Sequence, residues 1–244
     1  MSKLKVFIRG RLLKLIGGFS RQTVAHEYLK GEGSEIGALN SPLELPCGAH
    51  AKYVDRLTVP ELRKRYPELA RFPLVNVDIK DDGEVLASIA DGSQDFVIAN
   101  HFLEHCENPI LALKNMLRVL RGNGIAYLAL PDKRFTFDKE RAETGLEHLW
   151  KDYTDGPEGS RKSHFEEWVG KVEKLKDGED ARKRAAHLKE IGYSIHFHVF
   201  TQDGMLKFLS FIKERAGLDF EVKLCLGIGN ETIFVLKKPG SDER

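Results

Sequence analysis

The amino-acid sequence predicts an α/β fold, in which a mostly parallel sheet carries helices on both faces and ends in an antiparallel hairpin. Strand-like and helix-like segments alternate four times, a pattern typical of parallel sheets whose crossover helices cover both faces. The last two predicted strands, 220–226 and 232–236, are joined by a short loop at 227–230, which allows only an antiparallel pair. We therefore expect the hairpin to close one edge of the sheet.

Composition narrows the class of protein. The chain has 244 residues, 41% apolar and 31% charged, with a net charge of +1, so it lacks the basic excess of a duplex-binding protein. Cys47, Cys106 and Cys225 are far apart and odd in number, which disfavours a disulfide framework or a thiolate zinc site. Neither a spanning apolar run nor a secretory cleavage site is visible. We expect a cytoplasmic protein that does not bind nucleic acid.

Residues 1–30 predict a basic amphipathic N-terminal helix. The first 25 residues carry six basic side chains and no acidic one, interleaved with apolar residues. Two interpretations stay open. The helix packs across the sheet as a lid, or it makes a peripheral contact with the anionic inner face of a membrane.

The first strand, 34–36, leads into a turn with the spacing of a nucleoside site. Gly37 follows it, and the next strand stops at Asp55, eighteen residues later. Glycine lets the backbone come close to a ligand, and a carboxylate at a strand tip can accept hydrogen bonds from ribose hydroxyls. The spacing predicts a nucleoside between Gly37 and Asp55.

A helix at 60–69 and a third strand at 74–79 follow. The exit of this strand is rich in carboxylates, and either Asp78 or Asp82 could contact an adenine amine. Alternatively, the run 81–83 is simply a turn. The choice between the two carboxylates stays open.

The fourth strand, 96–99, is an uninterrupted apolar run, typical of a strand buried on both faces. It ends at Asn100 and His101. A helix and a fifth strand at 125–130 follow, with Asp132 at the tip of the fifth strand. Polar side chains thus end two strands that should be neighbours.

Between residues 138 and 190 the composition changes, because 26 of 53 residues are charged against 31% for the whole chain. We expect a charged, mainly helical insertion at 138–195 that shapes an acceptor site, between core segments 31–137 and 196–238. Its aromatic residues either anchor it to the core or line a pocket. They are Trp150, Tyr153, Phe165 and Trp168.

The order of these motifs resembles that of the class I S-adenosylmethionine-dependent methyltransferases, over about 33–132 and 200–236. The matching pieces are Glu35-Ile36-Gly37-Ala38, Asp55, the acid-rich exit of the third strand, Asp91-Gly92-Ser93-Gln94-Asp95-Phe96, Phe102-Leu103-Glu104-His105, and Arg118-Val119-Leu120-Arg121-Gly122-Asn123-Gly124. The resemblance implies a Rossmann-like, seven-stranded sheet and S-adenosylmethionine as cofactor.

The resemblance also implies a set of cofactor-binding residues at the strand ends. They are Glu35, Gly37, Ala38 and Leu39 at the amino-acid end, Asp55 and Arg56 at the ribose, Asp78 or Asp82 at the adenine, and Asn100 and His101 beneath the sulfonium. The family's first loop usually reads G-x-G-x-G, whereas Leu39 and Ser41 take the second and third glycine places here. Bulk at Leu39 would narrow the approach to the cofactor's carboxylate.

Methyl transfer to a hydroxyl needs in-line alignment and removal of the hydroxyl proton, for which histidine is the natural base near neutral pH. The candidates are His101 and His105 after the fourth strand, and His196 and His198, which alternation along 193–200 places on one face. For His105 a structural pairing with its neighbouring glutamate is the stronger interpretation.

Two further assignments complete the predicted site. Asp132 would orient a base or hold a substrate hydroxyl. His196 and His198 also have the spacing of metal ligands, but Asn100 at the fourth strand tip does not supply the carboxylate that a metal-dependent transfer needs. No metal site is predicted.

The sequence thus predicts an S-adenosylmethionine-dependent methyltransferase that acts on oxygen in a small-molecule or glycan acceptor, with a histidine base. An inactive cofactor-binding partner subunit is an alternative that would explain the missing glycines. A dinucleotide-dependent oxidoreductase is disfavoured, because no G-x-G-x-x-G opens the first helix. The oligomeric state stays open.

Overall fold

Seven strands form one mixed sheet in the computed structural model, which describes residues 18–240. The strands are β1 (Gly31–Ile36), β2 (Ala49–Asp55), β3 (Ile79–Lys80), β4 (Gln94–Asn100), β5 (Leu120–Pro131), β6 (Glu221–Ile228) and β7 (Glu231–Lys237). Their order across the sheet is β3-β2-β1-β4-β5-β7-β6. The first five strands are parallel, and β7 runs antiparallel to β5 and β6. The predicted sheet and its hairpin are confirmed.

Side-chain caps mark the starts of some of the seven helices. They are α1 (Arg21–Tyr28), α2 (Val59–Arg65), α3 (Pro109–Val119), α4 (Leu146–Asp155), α5 (Glu158–Lys171), α6 (Glu179–Glu190) and α7 (Gln202–Arg215). The side chain of Asn108 accepts from the Leu111 amide at the start of α3, and Thr201 accepts from Gly204 at the start of α7. Each cap satisfies an amide that the helix itself cannot.

The two faces of the sheet are covered differently. On one face, α3, α7 and part of α4 pack over Val97 and Ala99 of β4 in the larger core. On the other face, α1 and the irregular segment around Leu43 cover Phe96 and Ile98. Alternation along β4 sends successive side chains to opposite faces, so this strand is buried on both sides as predicted.

Two segments near the β2 edge of the sheet are irregular. The chain between β1 and β2 is a turn followed by irregular backbone, which returns along the face through Leu43. The third strand, predicted at 74–79, pairs only over Ile79–Lys80. Upstream of it, the Val75 amide donates to the Leu39 carbonyl instead of to a strand, so the backbone there follows the loop after β1.

The segment 193–200 is extended but does not join the sheet, apart from a single bridge between Phe200 and Asp132. The His198 amide donates to the Glu104 carbonyl, so the segment passes the end of β4. Because residues 195–200 are all buried, neither side of the segment faces solvent. The alternation there reflects burial on two sides and not a strand.

Residues 138–195 form α4, α5 and α6 with a small core that includes Phe165 and Phe197. The aromatic residues divide between the two predicted uses, since Trp150 packs on Phe211 of α7 whereas Trp168 lies against Phe137 and His196. Among residues 18–240, no helix has the length and apolar character to cross a bilayer. The predicted N-terminal helix falls mostly on residues 1–17, outside the described residues.

Candidate functional site

The carboxyl ends of β1 and β4 meet where the strand order reverses. From β1 the chain continues to β2 on one side, whereas β4 pairs with β1 on the other. Open α/β sheets bind ligands in the crevice outside such a switch point. Gly37 follows β1, and Asn100 is the last residue of β4. The crevice is therefore formed by the residues that the sequence predicts.

The turn after β1 is open above Gly37. Its φ of +65° is one that glycine adopts readily, and its amide donates to the Val54 carbonyl at 2.9 Å, which places it beside the end of β2. A β-carbon built there would have no neighbour within 4 Å in the described part of the chain. The Ala38 carbonyl accepts from Ser41, and the Leu39 carbonyl accepts from Val75. These bonds hold the loop.

Glu35 supports this loop from below. Its side chain is buried, and both carboxylate oxygens accept from the Leu43 amide at 3.0 and 3.1 Å. Burial raises the pKa of Glu35 to about 7, although the bond from Leu43 opposes the shift. Glu35 therefore holds the backbone of the loop after β1 through the Leu43 amide.

The predicted nucleoside contacts are arranged around the end of β2. Asp55 is half buried, with Oδ1 accepting from the Leu57 amide, and burial raises its pKa. Arg56 is exposed and donates to the Tyr66 hydroxyl. Asp78 precedes β3 and accepts from the Tyr53 amide, whereas Asp82 lies beyond the strand end. Of the two open alternatives for the adenine contact, Asp82 has the position at the carboxyl end.

Asn100 carries an unsatisfied group in the crevice. Both atoms of its amide are buried without a hydrogen-bond partner among residues 18–240, although the amide lies near enough to Glu35 to lower that pKa. A buried amide usually has partners, because leaving it unpaired is costly. Asn100 and the open space above Gly37 fit a ligand with polar groups at this end of the sheet.

His101 is held as a cation between two carboxylates. Its Nε2 lies 2.8 Å from Oε2 of Glu231 and its Nδ1 3.3 Å from Oε1 of Glu104. Burial opposes the charge, but the bonds to Glu104 and Glu231 outweigh it and raise the pKa of His101 to about 9. Arg21 of α1 pairs with Glu231 as well. An imidazolium with both nitrogens engaged has no free lone pair, and the role of His101 as a base stays a prediction.

His196 has the arrangement that a base requires. Its Nδ1 lies 2.7 Å from Oδ2 of Asp138, and Asp138 is held by Arg141 at 2.9 Å. Burial opposes ionisation of Asp138, but the hydrogen bond from His196 and the charges of His196 and Arg141 lower its pKa. An ionised carboxylate on Nδ1 fixes the tautomer that leaves a lone pair on Nε2.

His196 also lies close to an acid and a second imidazole. Ligand atoms of Glu104, His105 and His196 all lie within 4.8 Å of one another, and the rings of His105 and His196 meet edge to face at 4.6 Å. Burial lowers the pKa of His105 to about 4, so this ring is neutral. Its Nδ1 contacts the Ile195 carbonyl at 2.9 Å. Such a group can relay a proton or hold a cation.

Two predicted catalytic residues have other surroundings. His198 faces away from His196 and contacts the rings of His148 and His164. Asp132 caps the turn after β5, and its carboxylate accepts from Arg134 and from the Gln202 amide. That carboxylate is engaged with Arg134 and Gln202, and its role in orienting a base or holding a substrate hydroxyl stays a prediction.

The carboxylates that contact His101 and His196 are distant in sequence, and no motif predicts them. Glu231 lies 130 residues from His101 along the chain, and Asp138 lies 58 residues from His196. No local spacing indicates either pair. The adjacency of Glu104 to His105 was the only available signal, and there the relevant partner of Glu104 is His101.

The methyltransferase domain family model matches residues 45–128, a segment that runs from the end of the first loop through most of β5. It includes Asp55, Asn100, His101 and Glu104. No curated protein matches the chain.

Solved structures of similar proteins share low sequence identity with this chain. A methyltransferase from Methanosarcina mazei is 18% identical over 89% of this chain and 98% of its own, with a TM-score of 0.46. One from Thermotoga maritima is 18% identical over 97% and 96%, with a TM-score of 0.49. A Rhodobacter sphaeroides protein named as a zinc-dependent alcohol dehydrogenase is 15% identical over 90% and 89%, with a TM-score of 0.52, a likeness of fold alone.

The family match and the sheet agree with each other. The matched segment contains β2 to β4 and the crevice residues that end them. The order β3-β2-β1-β4-β5-β7-β6 with one antiparallel strand is the sheet that the resemblance implied. The chain therefore has the Rossmann-like methyltransferase fold, and its residues 45–128 match the methyltransferase domain family.

Proposed function

We propose that this chain transfers a methyl group from S-adenosylmethionine to an oxygen atom of a small hydroxylated or glycan acceptor, with His196 as the base. The observation that carries the proposal is the Asp138–His196 pair beside the end of β4. Asp138 accepts from Nδ1 at 2.7 Å, and Glu104 and His105 lie close to the same ring.

The crevice at the switch point supplies the cofactor side of the site. Gly37 leaves open space above the turn, Asp55 lies at the tip of β2, and Asn100 offers a buried amide with no other partner among the described residues. When bound, S-adenosylmethionine supplies an electrophilic methyl group on a cationic sulfur.

The acceptor side supplies proton transfer. As the acceptor oxygen bonds to the methyl carbon and the carbon–sulfur bond breaks, the hydroxyl proton passes to Nε2 of His196. Asp138 stabilises the imidazolium that forms, as a buried carboxylate does for the histidine of a catalytic triad. The neighbouring carboxylate of Glu104 also favours that positive charge.

The surroundings of His196 favour a hydroxylated acceptor over a flat apolar one. Carboxylates and imidazoles surround His196, and Phe137 and Trp168 also contact its ring. Phe137 lies 4.9 Å from it and is 55% exposed, and Trp168 lies 5.9 Å from it. An exposed aromatic face beside hydrogen-bonding groups suits the apolar side of a sugar ring.

Transfer of a labelled methyl group to a panel of sugars, glycosides and small alcohols tests the proposal, with amines as the comparison. We expect turnover on one hydroxylated class and a fall of about 10² to 10⁴-fold in His196→Ala. Binding of S-adenosylhomocysteine should be unchanged in that variant. His187→Ala, on the exposed side of α6, is the matched control.

Three outcomes would contradict this assignment. Turnover on amines alone would exclude oxygen as the acceptor atom. Full activity in His196→Ala would remove the base. Loss of a bound metal ion from His196→Ala would show that His196 is a cation ligand. Binding of S-adenosylhomocysteine without turnover on any acceptor would instead favour the cofactor-binding partner subunit.

A further inference from the structure

A second histidine cluster lies apart from the crevice and has no part in the proposed transfer. We call His148, Asp152, His164 and His198 the four-ligand cluster. His148 and Asp152 are one turn apart on α4, His164 is on α5, and His198 is on the extended segment 193–200. Helix α4 thus supplies two of the residues, and α5 and the extended segment supply one each.

The distances within the four-ligand cluster are those of a coordination shell. Nε2 of His148 lies 3.0 Å from Nε2 of His164 and 3.1 Å from Oδ2 of Asp152. Nε2 of His198 lies 3.9 Å from the same oxygen and 3.3 Å from the Glu107 carbonyl, and one ligand atom from each of the four residues lies within 4.8 Å of the others. Tetrahedral zinc with bonds of 2.0–2.1 Å requires ligand atoms about 3.3 Å apart.

Burial without hydrogen bonds points to a missing ligand. Oδ2 of Asp152 is buried and makes no hydrogen bond among residues 18–240, although the His148 nitrogen is close to it. Nδ1 of His198 is likewise buried and unpaired. Buried polar atoms this close normally pair or bind an ion.

A supporting contact fixes the carboxylate. The Ser160 hydroxyl donates to Oδ1 of Asp152 at 2.7 Å, which leaves Oδ2 directed into the cluster. Metal-binding carboxylates are commonly oriented in this way by a second hydrogen bond.

We propose that the four-ligand cluster binds one divalent transition metal ion of the zinc class. Three imidazoles and one carboxylate are the donors that zinc prefers. Because the protein supplies four ligands, no coordination position is left for a substrate, and the ion has a structural role. This inference departs from the expectation of no metal and does not rest on the proposed function.

A bound ion would link the insertion to the core. The ion joins α4 and α5 to the segment that also carries His196, two residues before His198. The rival arrangement is a hydrogen-bonded network without metal, in which a proton on His148 takes the place of the ion, since Asp152 raises the pKa of His148. The two arrangements differ in metal content.

The first experiment uses the unchanged chain. Protein purified without a histidine tag is loaded with Zn²⁺, dialysed against metal-free buffer and measured by inductively coupled plasma mass spectrometry. Loading with Co²⁺ instead should give the intense visible bands of tetrahedral coordination. We expect about one ion per chain. A chain that retains neither ion overturns the proposal without any variant.

Variants then locate the ion. His148→Ala changes the most exposed ligand, 37% exposed, and His164→Ala a buried one. Each should lose about one metal equivalent, whereas the control His187→Ala on exposed α6 should lose none. Ser160→Ala should weaken Zn²⁺ affinity about tenfold in competition with a chromophoric chelator. Metal content equal to the control in both ligand variants overturns the assignment.

Discussion

His196 and His198 are two residues apart, yet they lie in two different regions of the molecule. His196 has the Asp138 carboxylate on Nδ1 and lies close to Glu104 and His105. His198 is fully buried among His148, His164 and Asp152. The first arrangement leaves the lone pair on Nε2 of His196 able to take a proton from an acceptor. In the second, the four side chains converge on one point. Neighbours, and not residue type or spacing, decide what each imidazole can do.

The largest expected effect concerns the carboxylate behind His196. Asp138→Asn keeps the shape of the side chain, but its amide can donate to Nδ1 and so favours the tautomer without a lone pair on Nε2. We expect turnover to fall about 10² to 10³-fold with KM little changed. Asp155→Asn, at the exposed end of α4, is the control. Equal kinetics in the two variants would remove Asp138 from the proton transfer.

Because Asp138 also pairs with Arg141, the same variant needs a structural readout. Thermal unfolding and S-adenosylhomocysteine binding should both be measured on Asp138→Asn. A loss of turnover that follows a loss of folded protein would assign the carboxylate a structural role.

The next effect separates the crevice from an ordinary turn. Gly37 and Gly92 have similar φ values, +65° and +61°, and a β-carbon would meet no atom within 4 Å at either place. Alanine should cost about 1 kcal/mol of stability at each. Only Gly37→Ala should also weaken S-adenosylhomocysteine binding, by about tenfold in isothermal titration, because its methyl group enters the crevice. Equal binding in both variants would place the cofactor elsewhere.

The smallest effect concerns the charge on His101. Its pKa in the folded chain is about 9 against 6.5 for the ordinary group, so its contribution to stability is complete below about pH 6.5 and is lost as pH rises through 9. With 35% of the side chain exposed, we expect a loss of only about 1 kcal/mol over that window.

Glu231→Gln should reduce this pH dependence, because it removes one of the two carboxylates that raise the pKa of His101. Urea unfolding at several pH values between 6.5 and 9.5 measures the slope. Glu221→Gln, on the neighbouring edge strand, should leave the slope as it is. A slope unaffected by Glu231→Gln would mean that His101 is not protonated through this pair.

Local pattern was sufficient to predict the sheet. Apolar runs identify β4 and β5, and caps at Asn108 and Thr201 mark the starts of α3 and α7. The path of the irregular chain between β1 and β2 could not be predicted from local pattern. Leu43 covers the face in irregular backbone because Glu35 accepts from its amide, and that contact is tertiary.

The site was predictable only in part. Gly37, Asp55 and Asn100 end strands, so their positions follow from the sheet. The charge of His101 and the orientation of His196 depend on Glu231 and Asp138, far away in sequence. The four-ligand cluster likewise combines side chains from three segments. Alternation predicted that His196 and His198 share one face, because it does not show that the segment is buried on both sides.

A crystal structure of the chain with S-adenosylhomocysteine tests the central claim most directly. The account predicts the nucleoside between Gly37 and Asp55, with the sulfur facing the space that Nε2 of His196 borders. An empty crevice, or a sulfur separated from His196 by the body of the sheet, would contradict it.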